Sequence, residues 1–291
     1  MNKPSVNKQY KRKPDWLKVK AFTGSGYDHT RRLLRRYGLN TVCQAANCPN
    51  RGECFNRGIA TFLILGAICT RRCRFCNIQK GNPKPPEPDE PQRVAKAAQE
   101  MKLKHIVITS VTRDDLSDGG AAHFAKTIRL IRHYLPRTTI EVLTPDFNGS
   151  QKAWRGVIES PPDVFNHNIE TVPRLYPLVR PGADYQRSLR LLHWMQKYSN
   201  VITKSGIMVG LGESFEELKA VFADLAKNKV SILTIGQYLA PSKRHYPVAR
   251  YLHPDEFVRL AEEAKRAGIR TVVSAPLVRS SYQADIVLSR L

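Results

Sequence analysis

Continuous apolar runs of strand length recur along the chain at ATFLILGA (60–67), HIVITSV (105–111), TIEVLTP (139–145), DVFNHNIE (163–170), VITKSGIMVG (201–210), SILTIGQYL (231–239) and RTVVSAP (270–276). Runs with little polar alternation fit strands covered on both faces, as in a parallel sheet. Between them lie segments with helical periodicity: PQRVAKAAQEMK, where Pro91 suits a first turn, AAHFAKTIRLIRHYL, ADYQRSLRLLHWMQKYS, SFEELKAVFADLAKNK and PDEFVRLAEEAKRAG. Strands and helices alternating about every 35 residues predict parallel pairing through right-handed crossovers. The expected fold class is α/β, a partial (β/α)6 parallel barrel with its site at the C-terminal strand ends. Three segments are expected: 1–58, an N-terminal arm and cysteine-bearing extension; 59–274, the barrel; and 275–291, a C-terminal extension. Within the first, residues 1 to about 27 read as an extended basic arm, and Asp28 to Tyr37 as a short helix with an Asp cap, ending at Gly38.

With 291 residues, 42% of them hydrophobic, the chain can bury a sizeable core. No apolar run approaches the roughly 20 residues of a membrane span, and the basic N-terminus has no apolar stretch after it, so a cytoplasmic location is expected. Thiols stay reduced there, and the six cysteines then read as metal ligands rather than disulfides. A formal charge of +22 favours an acidic partner, whether nucleic acid, phosphorylated small molecule or acidic carrier protein, and by itself does not choose among them.

Cys69, Cys73 and Cys76 form C-x3-C-x2-C directly after the first strand, where a loop can wrap three thiolates around one inorganic cluster. Three ligands leave one iron of a [4Fe-4S] cluster open to chelate a small molecule through amine and carboxylate. Electron transfer into a chelated sulfonium breaks a carbon–sulfur bond and yields a 5'-deoxyadenosyl radical. A zinc knuckle is the alternative, but the local stretch has no fourth His or Cys at zinc spacing. Cys43, Cys48 and Cys54 form a second triad, C-x4-C-x5-C. There is no seventh cysteine, so a fourth ligand here has to be oxygen, nitrogen or substrate.

These two triads, with RSSY at residues 279–282, resemble the lipoyl synthase family of radical S-adenosylmethionine enzymes. The likeness continues in order through TFLILGAICTRRCRFC, VTRDDLSDGGAAHFA, EVLTPDFNG, VFNHNIETVPRLYPLVRPGADYQRSL, KSGIMVGLGES and LTIGQYLAPSKRHYPV, over residues 40 to 285. The resemblance implies that Cys69, Cys73 and Cys76 hold the cluster that binds S-adenosylmethionine. It implies that Cys43, Cys48 and Cys54 hold an auxiliary [4Fe-4S] cluster with Ser281 as fourth ligand, the C-terminal segment returning to reach it. An alkoxide matches a thiophilic iron poorly and is readily lost, which suits a cluster that must come apart. An aromatic at Phe75 fits the superfamily's adenine-side residue and equally fits a core position.

The implied reaction is insertion of two sulfur atoms, at C6 and C8 of an octanoyl chain on a carrier-protein lysine. Such carbons have no acidity for a base to exploit, so hydrogen abstraction by a primary carbon radical is the route. Two S-adenosylmethionine molecules are consumed per product, and the auxiliary cluster is sacrificed as the sulfur source. Implied partners are octanoylated lipoyl-domain carriers (2-oxoacid dehydrogenase subunits and the glycine cleavage H protein), an electron donor such as ferredoxin or flavodoxin, and an iron-sulfur carrier that rebuilds the cluster. Nucleic acid, membrane and oligomer are not implied. Methylthiotransferases acting on RNA share the chemistry but need further domains for which this chain is too short.

Other positions have two readings. Gly119 and Gly120 allow close backbone approach to S-adenosylmethionine, although Ala121 replaces the usual acidic residue after them. Asp114 and Asp118 are cofactor contacts or caps of the following helix. Asn168 and Glu170, ending the fourth strand, are cofactor contacts or loop caps. Gly210 and Gly212 approach the cofactor or form a strand-to-helix turn. His105, His123, His133, His193 and His245 have no metal spacing and are assigned no role.

Overall fold

The computed structural model describes residues 12–19, 24–284 and 286. Seven parallel strands form its sheet: β1 (Thr61–Ile64), β2 (His105–Ser110), β3 (Thr139–Leu143), β4 (Val164–Asn166), β5 (Ile202–Val209), β6 (Ile232–Gln237) and β7 (Thr271–Ser274). They lie side by side in chain order, and the short strand Asn40–Thr41 pairs antiparallel with the outer edge of β1. Helices α1 (Glu90–Glu100), α2 (Ala121–Tyr134), α3 (Gln151–Ile158), α4 (Tyr185–Tyr198), α5 (Phe215–Lys227) and α6 (Pro254–Arg266) fill the six crossovers. The expected (β/α)6 repeat is present, followed by a seventh strand. Helix α3 went unforeseen: it is only eight residues long and hides behind the turn-rich PDFNGS, although Ser150 caps it by accepting from the Ala153 amide.

Alternate strand residues face outward. Phe62, Ile64, Ile106, Ile108, Ile140, Val142 and Phe165 meet Val94, Ala98, Phe124 and Ile128 of α1 and α2. Ile207, Val209, Leu233 and Ile235 meet Val221, Phe222, Phe257 and Leu260 of α5 and α6. Each such side chain, fully buried, contributes about 1.5–3 kcal/mol of hydrophobic stabilisation. Helix starts follow local chemistry. Ser214 and Glu217 close a capping box on α5, and Pro254 opens α6.

Inward positions are polar. The Lys204 ammonium donates to both Glu141 carboxylate oxygens (2.9 and 3.0 Å), and the Asn166 amide donates to the same carboxylate at 2.9 Å. This pair is fully buried and ties β3, β4 and β5 together inside the barrel. Removing one partner of such a pair strands the other charge, at about 3–5 kcal/mol.

The cysteine-bearing N-terminal extension shares the sheet and the core. Its helix runs from Ser25 to Arg36 with Gly24 as the cap residue, three residues before the expected Asp28 start. Leu33, Leu34, Leu39 and Phe55 join the first core cluster. Of the expected arm, residues 1–11 and 20–23 lie outside the described residues. Asp15–Leu17 form a 3-10 turn against the barrel, with the Trp16 indole donating to the Leu252 carbonyl (3.2 Å) and Leu17 buried. No helix among the described residues is long and apolar enough to cross a membrane.

After β7 the chain crosses back over the open side of the arc. The Asn50 amide donates to the Leu277 carbonyl (2.8 Å), and the Tyr282 hydroxyl donates to Glu53 (3.0 Å). Two glycines make room for it. A Cβ on Gly206 would lie 2.8 Å from Ser280 Oγ, and one on Gly236 would collide with the Val278 carbonyl. Gly236→Ala therefore forces the last segment out of its groove, with an expected loss of about 1–3 kcal/mol in chemical denaturation and faster proteolysis after Ala275. Unchanged stability and proteolysis would contradict that packing.

Candidate active site

The loop bearing Cys69, Cys73 and Cys76 is closed at its base by the short parallel pair Ile68–Cys69 and Gln79–Lys80. Backbone bonds fasten it to the rim: Thr70 N donates to Thr112 O (3.1 Å), and Arg74 N to Val179 O (2.8 Å). The Thr112 amide donates to Cys69 Sγ at 3.3 Å. All three sulfurs therefore stand over the C-terminal ends of the strands. Burial raises Cys73 and pushes Cys76 up to about 12, with the neighbouring triad thiols adding to the rise at each. Arg180 and Arg71 oppose it at Cys73.

Cys43 lies in the turn Val42–Ala45, capped by Thr41, and Cys54 in the helix Arg51–Asn56. The Cys48 amide donates to the Cys43 carbonyl at 3.1 Å, drawing the second triad together. Burial and mutual repulsion push Cys43 up to about 11 and Cys54 up to about 12. Burial also raises Cys48, against the positive charges of Arg279 and Arg51. Cys43, Cys48 and Cys54 line one cavity together with Arg279, Ser281 and Tyr282. Ser280 points elsewhere, its hydroxyl donating to Asn168 Oδ1 at 2.9 Å. The centres touch through Asn77, whose amide donates to the Ala45 carbonyl (2.9 Å).

Asn168 and Glu170 reach toward both centres: Glu170 acts on Cys73 and on Arg279, and Asn168 accepts from Ser280. Asn168 donates to Glu170 Oε1 at 3.0 Å, and Glu170 adopts a left-handed φ of 67°, uncommon for a residue with a side chain. Burial raises the Glu170 carboxyl, opposed by Arg180, Asn168 and Arg279. Arg180 donates to the carbonyls of Asn168 (3.0 Å) and Ile169 (3.1 Å), and its buried Nε has no protein partner.

Gly119 and Gly120 have φ of 60° and 91°, and side chains there would press on Phe147 and Leu65, so the turn into α2 itself requires glycine. Asp118 caps that helix, accepting from Gly120 N (2.9 Å) and Ala122 N (2.8 Å). Asp114 pairs with Arg71. Gly210 forms a strand-to-helix turn closed by Glu213, which accepts from Gly210 N (2.6 Å) and Leu211 N (2.8 Å). Phe75 is half-buried against the second core cluster. His123 bonds Glu90 at 2.8 Å, and His245 bonds Ser242. Sequence reasoning missed Arg71, Asp146, His167 and Arg180. Asp146 and His167 follow strand ends, which was their one signal, and Arg180 follows the short helix Tyr176–Val179. His167 is held by Thr144 O and Ser188 Oγ, and burial pushes it down to about 4, so it is neutral at pH 7.

Among the described residues, no three His, Cys, Asp or Glu side chains close on one point as ligands of a single metal ion do. In a polynuclear cluster each thiolate binds a different iron, and ligands stand wider apart. Crowded buried thiols with raised proton affinity are a donor set that such a cluster suits, since coordination removes their protons.

The chain matches the Radical SAM superfamily over residues 63–225. It is 55% identical over 279 residues to the lipoyl synthase of Caldanaerobacter subterraneus subsp. tengcongensis, covering 96% of this chain and 98% of that one. It is 54% identical over 276 residues to the lipoyl synthase of Methylococcus capsulatus, covering 94% and 86%. The chain belongs to the lipoyl synthase family. Its fold is also like that of methylornithine synthase (TM-score 0.52, 15% identity, 93% of this chain and 89% of that one) and of the hydrogenase maturase HydG (TM-score 0.55, 12% identity, 88% and 73%). As a family member it is a sulfur-inserting enzyme that uses S-adenosylmethionine and a [4Fe-4S] cluster.

Burial alone would raise the Asp146 carboxyl, but Arg71 and Arg187 hold it well below the usual carboxylate range. A depressed carboxylate contributes stability that is complete above its unfolded value and lost as pH falls below about 4. Asp146→Asn should therefore lower Tm at neutral pH and converge with the parent between about pH 4 and 2. A constant Tm difference across that range would contradict the assignment.

Proposed function

We propose that Cys69, Cys73 and Cys76 hold the [4Fe-4S] cluster that binds S-adenosylmethionine, and that Cys43, Cys48, Cys54 and Ser281 hold an auxiliary [4Fe-4S] cluster consumed as sulfur donor. The substrate on this reading is an octanoyl-lysine on a lipoyl-domain carrier protein, and the product carries sulfur at C6 and C8. The carrying observation is the division of labour between adjacent serines: Ser281 shares a cavity with the three cysteines while Ser280 bonds Asn168. It supports Ser281 as the oxygen ligand that the second triad lacks. Residues 1–58 then read as the auxiliary-cluster extension, 59–274 as the barrel and 275–291 as the segment that returns to it.

When bound, the clusters and S-adenosylmethionine supply the electron, the abstracting carbon radical and the sulfur. The chain's own residues bind and orient. Asn168 and Glu170 present an amide and a carboxylate beside Cys73 and Ser280, suited to the hydroxyls and amine of S-adenosylmethionine, with Gly119 and Gly120 able to offer only backbone. Arg180 and Arg279 balance the negative charge gathered around Cys73, Cys48 and Glu170. The wedge of Val278 and Ser280 beside Gly236 and Gly206 holds Ser281 toward the second site. Electron donor, carrier preference and an iron-sulfur protein that restores the auxiliary cluster complete the scheme, with a cytoplasmic monomer as the working form.

Anaerobic reconstitution should give about eight irons per chain and about four after Cys43, Cys48 and Cys54 are replaced by alanine. That variant should still cleave S-adenosylmethionine but form no lipoyl group. Equal iron in both proteins, or lipoyl formation by the variant, would overturn the assignment. Given the +22 charge, turnover on a folded acidic carrier domain should fall steeply with added salt while turnover on a short octanoyl peptide changes little. Equal salt responses would remove electrostatic docking from the scheme.

A further inference from the structure

Arg71 lies between Cys69 and Cys73 and has no part in the scheme above. It is the one buried residue of the segment 69–76, with 8% of its surface exposed. Its guanidinium donates through Nε to Asp114 Oδ2 (2.7 Å) and through Nη2 to Asp114 Oδ1 (3.0 Å), Asp146 Oδ1 (2.5 Å) and Asn148 Oδ1 (2.8 Å). Asp146 is itself held from the far side by Arg187, which donates to Oδ2 at 2.7 Å. Its backbone carbonyl accepts from the Trp154 indole at 3.2 Å. Two arginines and two aspartates thus alternate as Asp114, Arg71, Asp146, Arg187, with no net charge. They join the thiol loop to the turns after β2 and β3 and to α4.

We propose that Arg71 is the positioning residue of the first thiol loop, pinning Cys69, Cys73 and Cys76 over the strand ends through Asp114 and Asp146. Besides Phe75 and Ile78, which pack on the core, and the backbone bonds of Thr70 and Arg74, Arg71 gives the loop a buried ionic tie to the turns after β2 and β3. The planar fork of arginine engages both aspartates and Asn148 at once, which a lysine ammonium on a flexible stem does not reproduce. Groups behind metal ligands commonly set how tightly the metal is held, by about 10–100-fold. The inference rests on Cys69, Cys73 and Cys76 being cluster ligands.

The test compares Arg71→Met and Arg71→Lys with the parent, in full-length chains that retain only one triad, the other having been replaced by alanine. Iron release to EDTA and the EPR spectrum of the reduced cluster with and without S-adenosylmethionine are read, alongside Tm. From the Cys69 triad, Arg71→Met should release iron about 10–100-fold faster and give a broadened EPR signal, with Arg71→Lys between it and the parent. From the Cys43 triad, release should be unchanged. Should Arg71→Met fail to fold, Asp114→Asn, which alters a partner at the solvent edge, should shift the Cys69 triad alone in the same direction by a smaller factor. Parent-like release and spectra, or equal acceleration at both triads, would overturn the positioning role. A parent chain that takes up no iron on the Cys69 triad would overturn the ligand assignment and this inference with it.

Discussion

Parallel hydrogen bonding between neighbours requires every strand to be entered from the same end, so each crossover must leave from one common rim. Because β1 to β7 also follow chain order, residues far apart in sequence meet there in a fixed sequence of positions. The Cys69 loop leaves β1, the Asp114 turn β2, the Asp146 turn β3 and the Asn168–Glu170 turn β4. The C-terminal segment follows β7 and crosses the gap between the two edges of the arc. Reactive groups on this rim are placed by the strands, while the helices behind them bury the apolar faces that keep those strands in register.

A rim so crowded with charge needs internal neutrality. The low dielectric beneath it makes an uncompensated ion expensive, and two fully buried carboxylates there have cationic neighbours. Glu141 faces Lys204 inside the barrel, while Asp146 lies between Arg71 and Arg187. Around the thiols the balance is different. Six cysteines gather in two groups with arginines nearby, and burial raises five of the thiols, Cys43, Cys48, Cys54, Cys73 and Cys76. The same crowding makes each group a good donor set for iron.

Steric room is the complementary constraint. Gly206 and Gly236 face the barrel interior on neighbouring strands, and the space their missing side chains leave is taken by Val278 and Ser280. Because of that wedge, the C-terminal segment arrives with one serine turned to Asn168 and the next turned to Cys43, Cys48 and Cys54. Gly120 does similar work on the other side, admitting Leu65 against the start of α2.

Much of this was legible along the chain. Seven apolar runs gave seven strands because strands buried on both faces carry their burial in composition, and the thiol triads were legible because their cysteines are close in sequence. Helix α3 was not, since eight residues give too few turns for periodicity to stand out beside a loop rich in turn formers. The choice between Ser280 and Ser281 was open in the residues alone and was made there by family resemblance. In the fold Ser281 lines the cavity of the second triad and Ser280 bonds Asn168, directions that depend on Gly206 and Gly236, some 45–75 residues away. The pairing of Arg71 with Asp146, 75 residues apart, had no local signature at all. Sequence by itself determined the strands, most helices and the two cysteine triads, each a property of neighbouring residues. Tertiary structure alone decided which charges neutralise one another and which serine faces the second triad, because those depend on strand order and on empty space beside glycine, neither of which is a local property of the chain.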